Sequence, residues 1–248
     1  SRSTTNAAGA ELIGISSSSI FPIVIRNNVI GGISTSGTAT NSVHISGIRN
    51  VSGFGSMTCE NNTIGGTVSN SISTTTVLGG SVLGIAIAIP PSVITGNTIR
   101  NLTAAGGSTT GQSASVIGIS IQATGNIHTV RNNTIHHLHN TNTTTANSVY
   151  GITFNALSRA NALDRNTIYA ITNSSNIGNS EIAGIINIGG VTNITNNMIA
   201  IGQGVTKATL LYGIRDGAAG NTIFHNSIYI SGSPTTGNAN SFAFSSIV

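Results

Sequence analysis

A chain of 248 residues with 6% charged and 4% aromatic side chains, no Trp and one Cys is poor in the groups that catalysis and metal binding draw on. Its net charge of +4 comes from nine Lys and Arg against five Asp and Glu; scattered bases make no phosphate-tracking stripe, so no nucleic-acid partner is expected. One cysteine excludes an intrachain disulfide, and no apolar run reaches the roughly twenty residues that span a bilayer.

The predicted elements begin at Gly14-Ile15, followed by the triplet Asn28-Val29-Ile30. The couple recurs with Gly47, Gly84, Gly118, Gly151, Gly184 and Gly213, each followed by its triplet at Asn62, Asn97, Asn133, Asn166, Asn197 or Asn226. An eighth cycle opens at Ser241-Phe242. A period of about 33 residues, held through loops of different length, marks a stack of similar units within one domain over residues 1–248.

Within each cycle an apolar residue stands two places before the glycine and another one place after it: Leu12 and Ile15, Ile45 and Ile48, Val82 and Ile85, and so on to Leu211 and Ile214. That spacing of strand-compatible side chains predicts a first strand. A second strand surrounds the triplet. Its apolar columns run Ile25, Cys59, Ile94, Val130, Leu163, Ile194, Ile223, and Ile30, Ile64, Ile99, Ile135, Ile168, Ile199, Ile228. Cys59 therefore reads as a small buried hydrophobe. A looser third position follows at Ile33, Leu102, Leu138 and Ile171, then segments rich in Ser, Thr, Asn and Gly such as Thr103 to Ser115. No segment has helical spacing. The expectation is an all-β parallel β-solenoid of seven to eight coils, stacked about 4.8 Å apart into a rod roughly 35 Å long. The triplet asparagines are expected to turn a tight corner in the left-handed conformation and to bond one another from coil to coil.

Strings such as Gly118-Ile119-Ser120-Ile121 and Asn132-Asn133-Thr134-Ile135 resemble the right-handed parallel β-helix repeat superfamily, over nearly the whole chain. The resemblance implies a right-handed coil with an inward asparagine ladder. Its members include polysaccharide-active enzymes, phage tailspikes and secreted bacterial surface proteins, so it speaks for fold and leaves function open.

The chemistry-bearing residues are few. Glu11, Glu60, Asp164, Glu181 and Asp216 are the only acids. Glu60 and Asp164 share a column three coils apart, about 14 Å, and Glu11 and Glu181 share another five coils apart. Neither pair suits glycoside hydrolysis, which needs carboxylates about 5–10 Å apart. His128, His136, His137 and His139 fall in one coil without a supporting Cys or acid, while His44 is distant and His225 precedes Asn226 at a corner. His136 and His139 are expected to project outward; no metal, cofactor or catalytic residue is assigned. Arg26, Arg49, Arg100, Arg131, Arg165 and Arg215 read as falling in different columns. Thr63, Thr98, Thr134 and Thr167 make a hydroxyl row interrupted by Val29 and Met198, a pattern weighed for ice binding. Tyr150, Tyr169, Tyr212 and Tyr229 are the outward candidates for stacking sugar rings.

The expected protein is a non-enzymatic, extracellular structural solenoid: a fibre subunit, stalk or adhesin segment. It begins at Ser1 without an initiator Met or signal peptide and is read as a mature or excised piece of a longer secreted protein. Its expected partner is itself, coil end against coil end, through Phe242-Ala243-Phe244-Ser245-Ser246-Ile247-Val248. The alternative is a carbohydrate-binding or carbohydrate-active β-helix that takes cell-surface glycans.

Overall fold

The structure, a computed structural model, describes residues 10–36, 42–50, 55–77, 79–107, 114–123, 125–158, 160–175, 177–206, 209–233 and 241–247. Part of the Thr103–Ser115 segment, and Val248, lie outside them. Every described strand pairs in parallel, and no helix occurs among the described residues. The chain is an all-β parallel solenoid.

Three sheets run along it. Sheet 1 carries the glycine strands: Ala10–Ser17, Val43–Asn50, Ser81–Ile87, Val116–Ala123, Ser148–Ala156, Glu181–Gly189, Leu210–Asp216 and Ser241–Ser246. Sheet 2 holds Ile23–Arg26, Met57–Glu60, Ser92–Thr95, His128–Arg131, Asn161–Asp164, Thr192–Thr195 and Thr222–Phe224. Sheet 3 follows the asparagine corner with Val29–Ile30, Thr63–Ile64, Thr98–Ala104, Thr134–Asn140, Thr167–Asn173, Met198–Ile201 and Ser227–Ile230; Ile33–Thr35 and Ile72–Thr74 extend it. The coils make about six turns of about 33 residues, slightly fewer than the seven to eight read from the sequence. Seven successive strands along a sheet make six steps, and Ser241–Ser246 adds an eighth strand to sheet 1.

The inward columns stay in register from coil to coil. Ile48, Ile85, Ile119, Ile152 and Ile185 face Ile64, Ile99, Ile135, Ile168 and Ile199 across a closed interior, and all are at most 2% exposed. Cys59 is fully buried in its column, and burial pushes its thiol up to about 12. The third apolar column is more complete than its spacing indicates. Ile72 fills the gap between Ile33 and Leu102, because the segment between Ile64 and Ile72 lengthens that coil.

The glycine column has a steric cause. A Cβ on Gly118 would lie 2.6 Å from the Gly151 carbonyl oxygen and 2.6 Å from Ile135 Cγ2; on Gly151 the figures are 2.6 Å to Gly184 O and 2.7 Å to Ile168 Cγ2. Sheets 1 and 3 thus meet closely at this point, with each triplet isoleucine seated against a glycine. Ala243 takes the glycine's place in the eighth strand, between Phe242, opposite Tyr212, and Phe244, opposite Ile214.

At the corner the amides form a ladder. Asn62 Oδ1 accepts from the backbone N–H of Asn28 at 3.0 Å and from its Nδ2 at 3.0 Å. The same pair of bonds links Asn62 to Asn97, Asn97 to Asn133, Asn133 to Asn166, Asn166 to Asn197, and Asn197 to Asn226. From Asn62 onward each Nδ2 also donates back to the preceding coil, as from Asn133 to the Ile94 carbonyl at 3.0 Å. The five interior members are at most 1% exposed.

The left-handed residue is not the ladder asparagine, as expected from sequence, but the one before it. Asn27, Asn61, Gly96, Asn132, Arg165, Asn196 and His225 have φ between 53° and 66°. The turn there frees the next amide to point inward. An L side chain in this region is strained unless it is Asn, Asp or Gly, by about 1–2 kcal/mol. Arg165, at φ 53°, holds this strain and offers in return only an exposed ion pair with Asp164, worth well under 1 kcal/mol. The substitution Arg165→Asn is expected to stabilise the fold by roughly 0.5–1 kcal/mol, read as a rise in urea midpoint at unchanged m-value.

Candidate functional site

The sheets' outer faces carry the polar chemistry. On sheet 1, Glu11, His44 and Ser81 succeed one another in one column. His44 Nδ1 and Ser81 Oγ are 2.7 Å apart. Burial lowers the His44 pKa, so the ring is held neutral at pH 7 and can accept the serine proton. Arg49 pairs with Glu11. His44, Arg49 and Ser81 line an open groove of about 330 Å³ together with Ser46, Leu83, Ala86 and Ser120. Ser46 is fully buried, and its hydroxyl has no hydrogen-bond partner.

Further along, the same face is closed. Ile117, Tyr150, Ala183 and Ile186 are at most 1% exposed and form a second apolar cluster with Ala114. This corrects the expectation that Tyr150 is available to a sugar. Its hydroxyl donates to Glu181 Oε2 at 2.5 Å, and Arg215 Nη1 meets the same carboxylate at 2.9 and 3.1 Å. Burial, with the Glu181 charge beside it, holds the Tyr150 phenol protonated. Tyr212 is half-buried, stacked on Phe242 at 5.5 Å with the Arg215 guanidinium 5.3 Å from its ring.

On sheet 3 the outer column runs Arg100, His136, Tyr169, Ala200, Tyr229. His136 lies flat on Tyr169, ring centroids 4.8 Å apart, and its Nδ1 is 2.5 Å from that of His137. Tyr169 and Tyr229 stand on either side of Ala200 and border a cleft of about 390 Å³. A smaller cleft of about 250 Å³ is lined by Asn70, Asn101, Thr103, His137, His139 and Thr172, where His139 Nδ1 sits 2.8 Å from Thr172 Oγ1. The four histidines of this coil do not converge. His128 is buried at the corner, bonded to Ser92 at 2.8 Å, and burial takes its pKa down to about 4. Among the described residues no three His, Cys, Asp or Glu side chains are placed to hold one metal ion.

The acids are placed as their columns indicate and each is engaged. Glu11 meets Arg49, Glu60 lies 3.8 Å from Arg26, and Asp164 binds Arg165, Thr195 and Asn196. Asp216 accepts from Asn187 and Asn221. The bases are less scattered than expected: Arg26 and Arg131 share one column three coils apart, and Arg49 and Arg215 share another five coils apart. The threonine row lies in register on sheet 3, half-buried between exposed Val29 and Met198.

Sequence reasoning missed the His44–Ser81 contact. The signal was present, because each stands three residues before its glycine, Gly47 and Gly84, in adjacent coils. No protein-family model matches this chain, and no curated protein or solved structure is significantly similar to it.

Proposed function

We propose that this chain is an extracellular structural solenoid of the right-handed β-helix repeat type, a fibre, stalk or adhesin segment that associates end to end. The observation that carries this reading is the strand Ser241–Ser246. Among the described residues that strand pairs on one side only, and Phe242 and Phe244 are 38% and 48% exposed. An unpaired strand edge with apolar side chains is a template for another parallel strand. Nearby Ile223, Ile228 and Ile230 are half-buried, whereas Ile194, Ile199 and Ile201 one coil earlier are at most 2% exposed.

The ladder gives the contact a direction. Asn28 has an Oδ1 to which no described group donates, while at the other end the N–H of Asn226 has no following asparagine among the described residues. Acceptor and donor ends complement each other head to tail and not head to head. The ill-fitting atom is the Cβ of Ala243, which stands in a column where a Cβ meets the next strand's carbonyl. If strands of neighbouring copies continue sheet 1, Ala243→Gly strengthens association and Phe244→Lys weakens it. Analytical ultracentrifugation over a concentration series reads both. A chain that stays monomeric at millimolar concentration, with Ala243→Gly unchanged, rejects end-to-end association.

A second reading, a glycan-binding solenoid, draws on Tyr169 and Tyr229. They flank Ala200 two coils apart, roughly 9.6 Å, which leaves room for a pyranose ring between two aromatic faces. A glycan array without hits, or hits unaffected by Tyr229→Ala, removes it.

A further inference from the structure

We infer that Ser81 is a nucleophile activated by His44, in a groove on the outer face of sheet 1 that accepts small uncharged carboxylic esters. The inference stands apart from end-to-end association, since the groove lies in the second to fourth coils, away from the ends.

The protein contains its own comparisons. Four hydroxyl–imidazole contacts join adjacent coils: Ser81 with His44 at 2.7 Å, Ser92 with His128 at 2.8 Å, Thr172 with His139 at 2.8 Å, and Ser174 with His139 Nε2 at 3.4 Å, the last at the long limit of a hydrogen bond. Such contacts arise in a solenoid whenever a histidine and a hydroxyl share a column, so contact alone shows nothing. The Ser92 pair is closed off, with His128 fully buried and Ser92 3% exposed. The Thr172 pair lines a shallow cleft, and its hydroxyl is secondary. Only the first pair combines a primary hydroxyl, an imidazole held neutral, and a groove large enough for a small substrate.

The surroundings favour acyl chemistry. Leu83 and Ala86 give an apolar floor for the acyl chain. Ser46, fully buried beside the groove, adds a small side chain to its lining and no accessible charge. Arg49 is compensated by Glu11, so the groove holds no free charge to select an ion.

With its proton on Nε2, His44 accepts the Ser81 proton at Nδ1 as Oγ attacks the carbonyl carbon. The new C–O bond pushes the carbonyl π electrons onto oxygen. Collapse expels the alcohol, which leaves with the proton from His44. Water then attacks the acyl-serine in the same way, releasing the carboxylic acid and restoring Ser81. No oxidant or metal enters the balance.

The probe is a fluorophosphonate, which loses fluoride as serine Oγ bonds to phosphorus. The full chain is labelled and the modified residue located by peptide mass spectrometry. Labelling at Ser81 is expected, absent in Ser81→Ala and slower by about 100-fold in His44→Gln. Thr172→Ala, which breaks the His139 contact, is expected to leave the rate unchanged. Glutamine can still bond Ser81, and a matching circular-dichroism melt shows that the His44→Gln chain is folded. Absence of labelling in the unaltered chain, an equal rate in folded His44→Gln, or equal labelling at Ser92 overturns the inference.

Discussion

Asn133→Ala, in the middle of the asparagine ladder, is expected to destabilise the protein by about 3–5 kcal/mol. The side chain accepts from the N–H and Nδ2 of Asn97 at 3.0 and 2.9 Å, and donates to the Ile94 carbonyl, the Arg131 carbonyl and Asn166 Oδ1, each at 3.0 Å. Its removal leaves several buried groups short of a partner at once, and each unsatisfied group costs about 1–3 kcal/mol. The total is less than their sum because Asn166 Oδ1 keeps the Asn133 N–H and the cavity admits water. Asn28→Ala is the control. That residue is half-buried and is the last ladder member among the described residues, so its loss is expected to cost no more than about 1 kcal/mol. Urea denaturation of both variants checks the contrast. Equal midpoints remove the ladder from the account of stability.

Asn133→Asp separates shape from hydrogen-bond sense. The acid keeps an oxygen facing Asn97 but turns its other oxygen toward three acceptors, the Ile94 carbonyl, the Arg131 carbonyl and Asn166 Oδ1. Only the protonated acid can donate there, so its folded-state pKa rises above the unfolded value of about 4. A raised carboxyl pKa adds no penalty below the unfolded pKa and an increasing one above it. The variant is therefore expected to lose stability, relative to the parent, as pH climbs from about 4 toward neutrality.

The core was legible because it is repetitive. Ile, Leu and Val at fixed offsets from Gly and Asn point inward in any coil, and Cys59 takes its place among them. Ile72 escaped because a longer corner moved it out of register, although the sheet restores the pairing with Leu102. The left-handed corner was assigned one residue late, since Asn-Asn pairs such as Asn27-Asn28 offer two candidates. Arg165 and His225 leave the second as the asparagine of their pairs, and Gly96 marks the first as the left-handed position. Tyr150 was unreadable for another reason. Period-two alternation puts it on the outer face, and nothing local to it tells that this part of the face is covered. The His44–Ser81 contact lies between these cases: the column placed the pair together, but only the groove distinguishes it from the buried Ser92–His128 contact.

Gly118→Ala is expected to cost about 2–4 kcal/mol, more than the usual 1–3 kcal/mol for an added core methyl. The new Cβ meets two atoms that cannot retreat together. Gly151 O belongs to the neighbouring strand's backbone, fixed by the sheet's hydrogen bonds, and Ile135 Cγ2 belongs to a β-branched side chain locked in a full core. Relieving one contact by spreading the coils strains the ladder at Asn133, two residues before Ile135. The companion substitution Ile135→Ala removes Cγ2 and opens a cavity, costing about 2–5 kcal/mol alone. In the double variant the added methyl enters space the isoleucine vacated, so the two losses should fall short of additivity by about 1 kcal/mol or more. The residual deficit reports the carbonyl of Gly151, which the isoleucine substitution leaves in place. Full additivity in guanidinium denaturation shows instead that glycine is required by the backbone alone, and that its packing against the triplet isoleucine contributes nothing to the column.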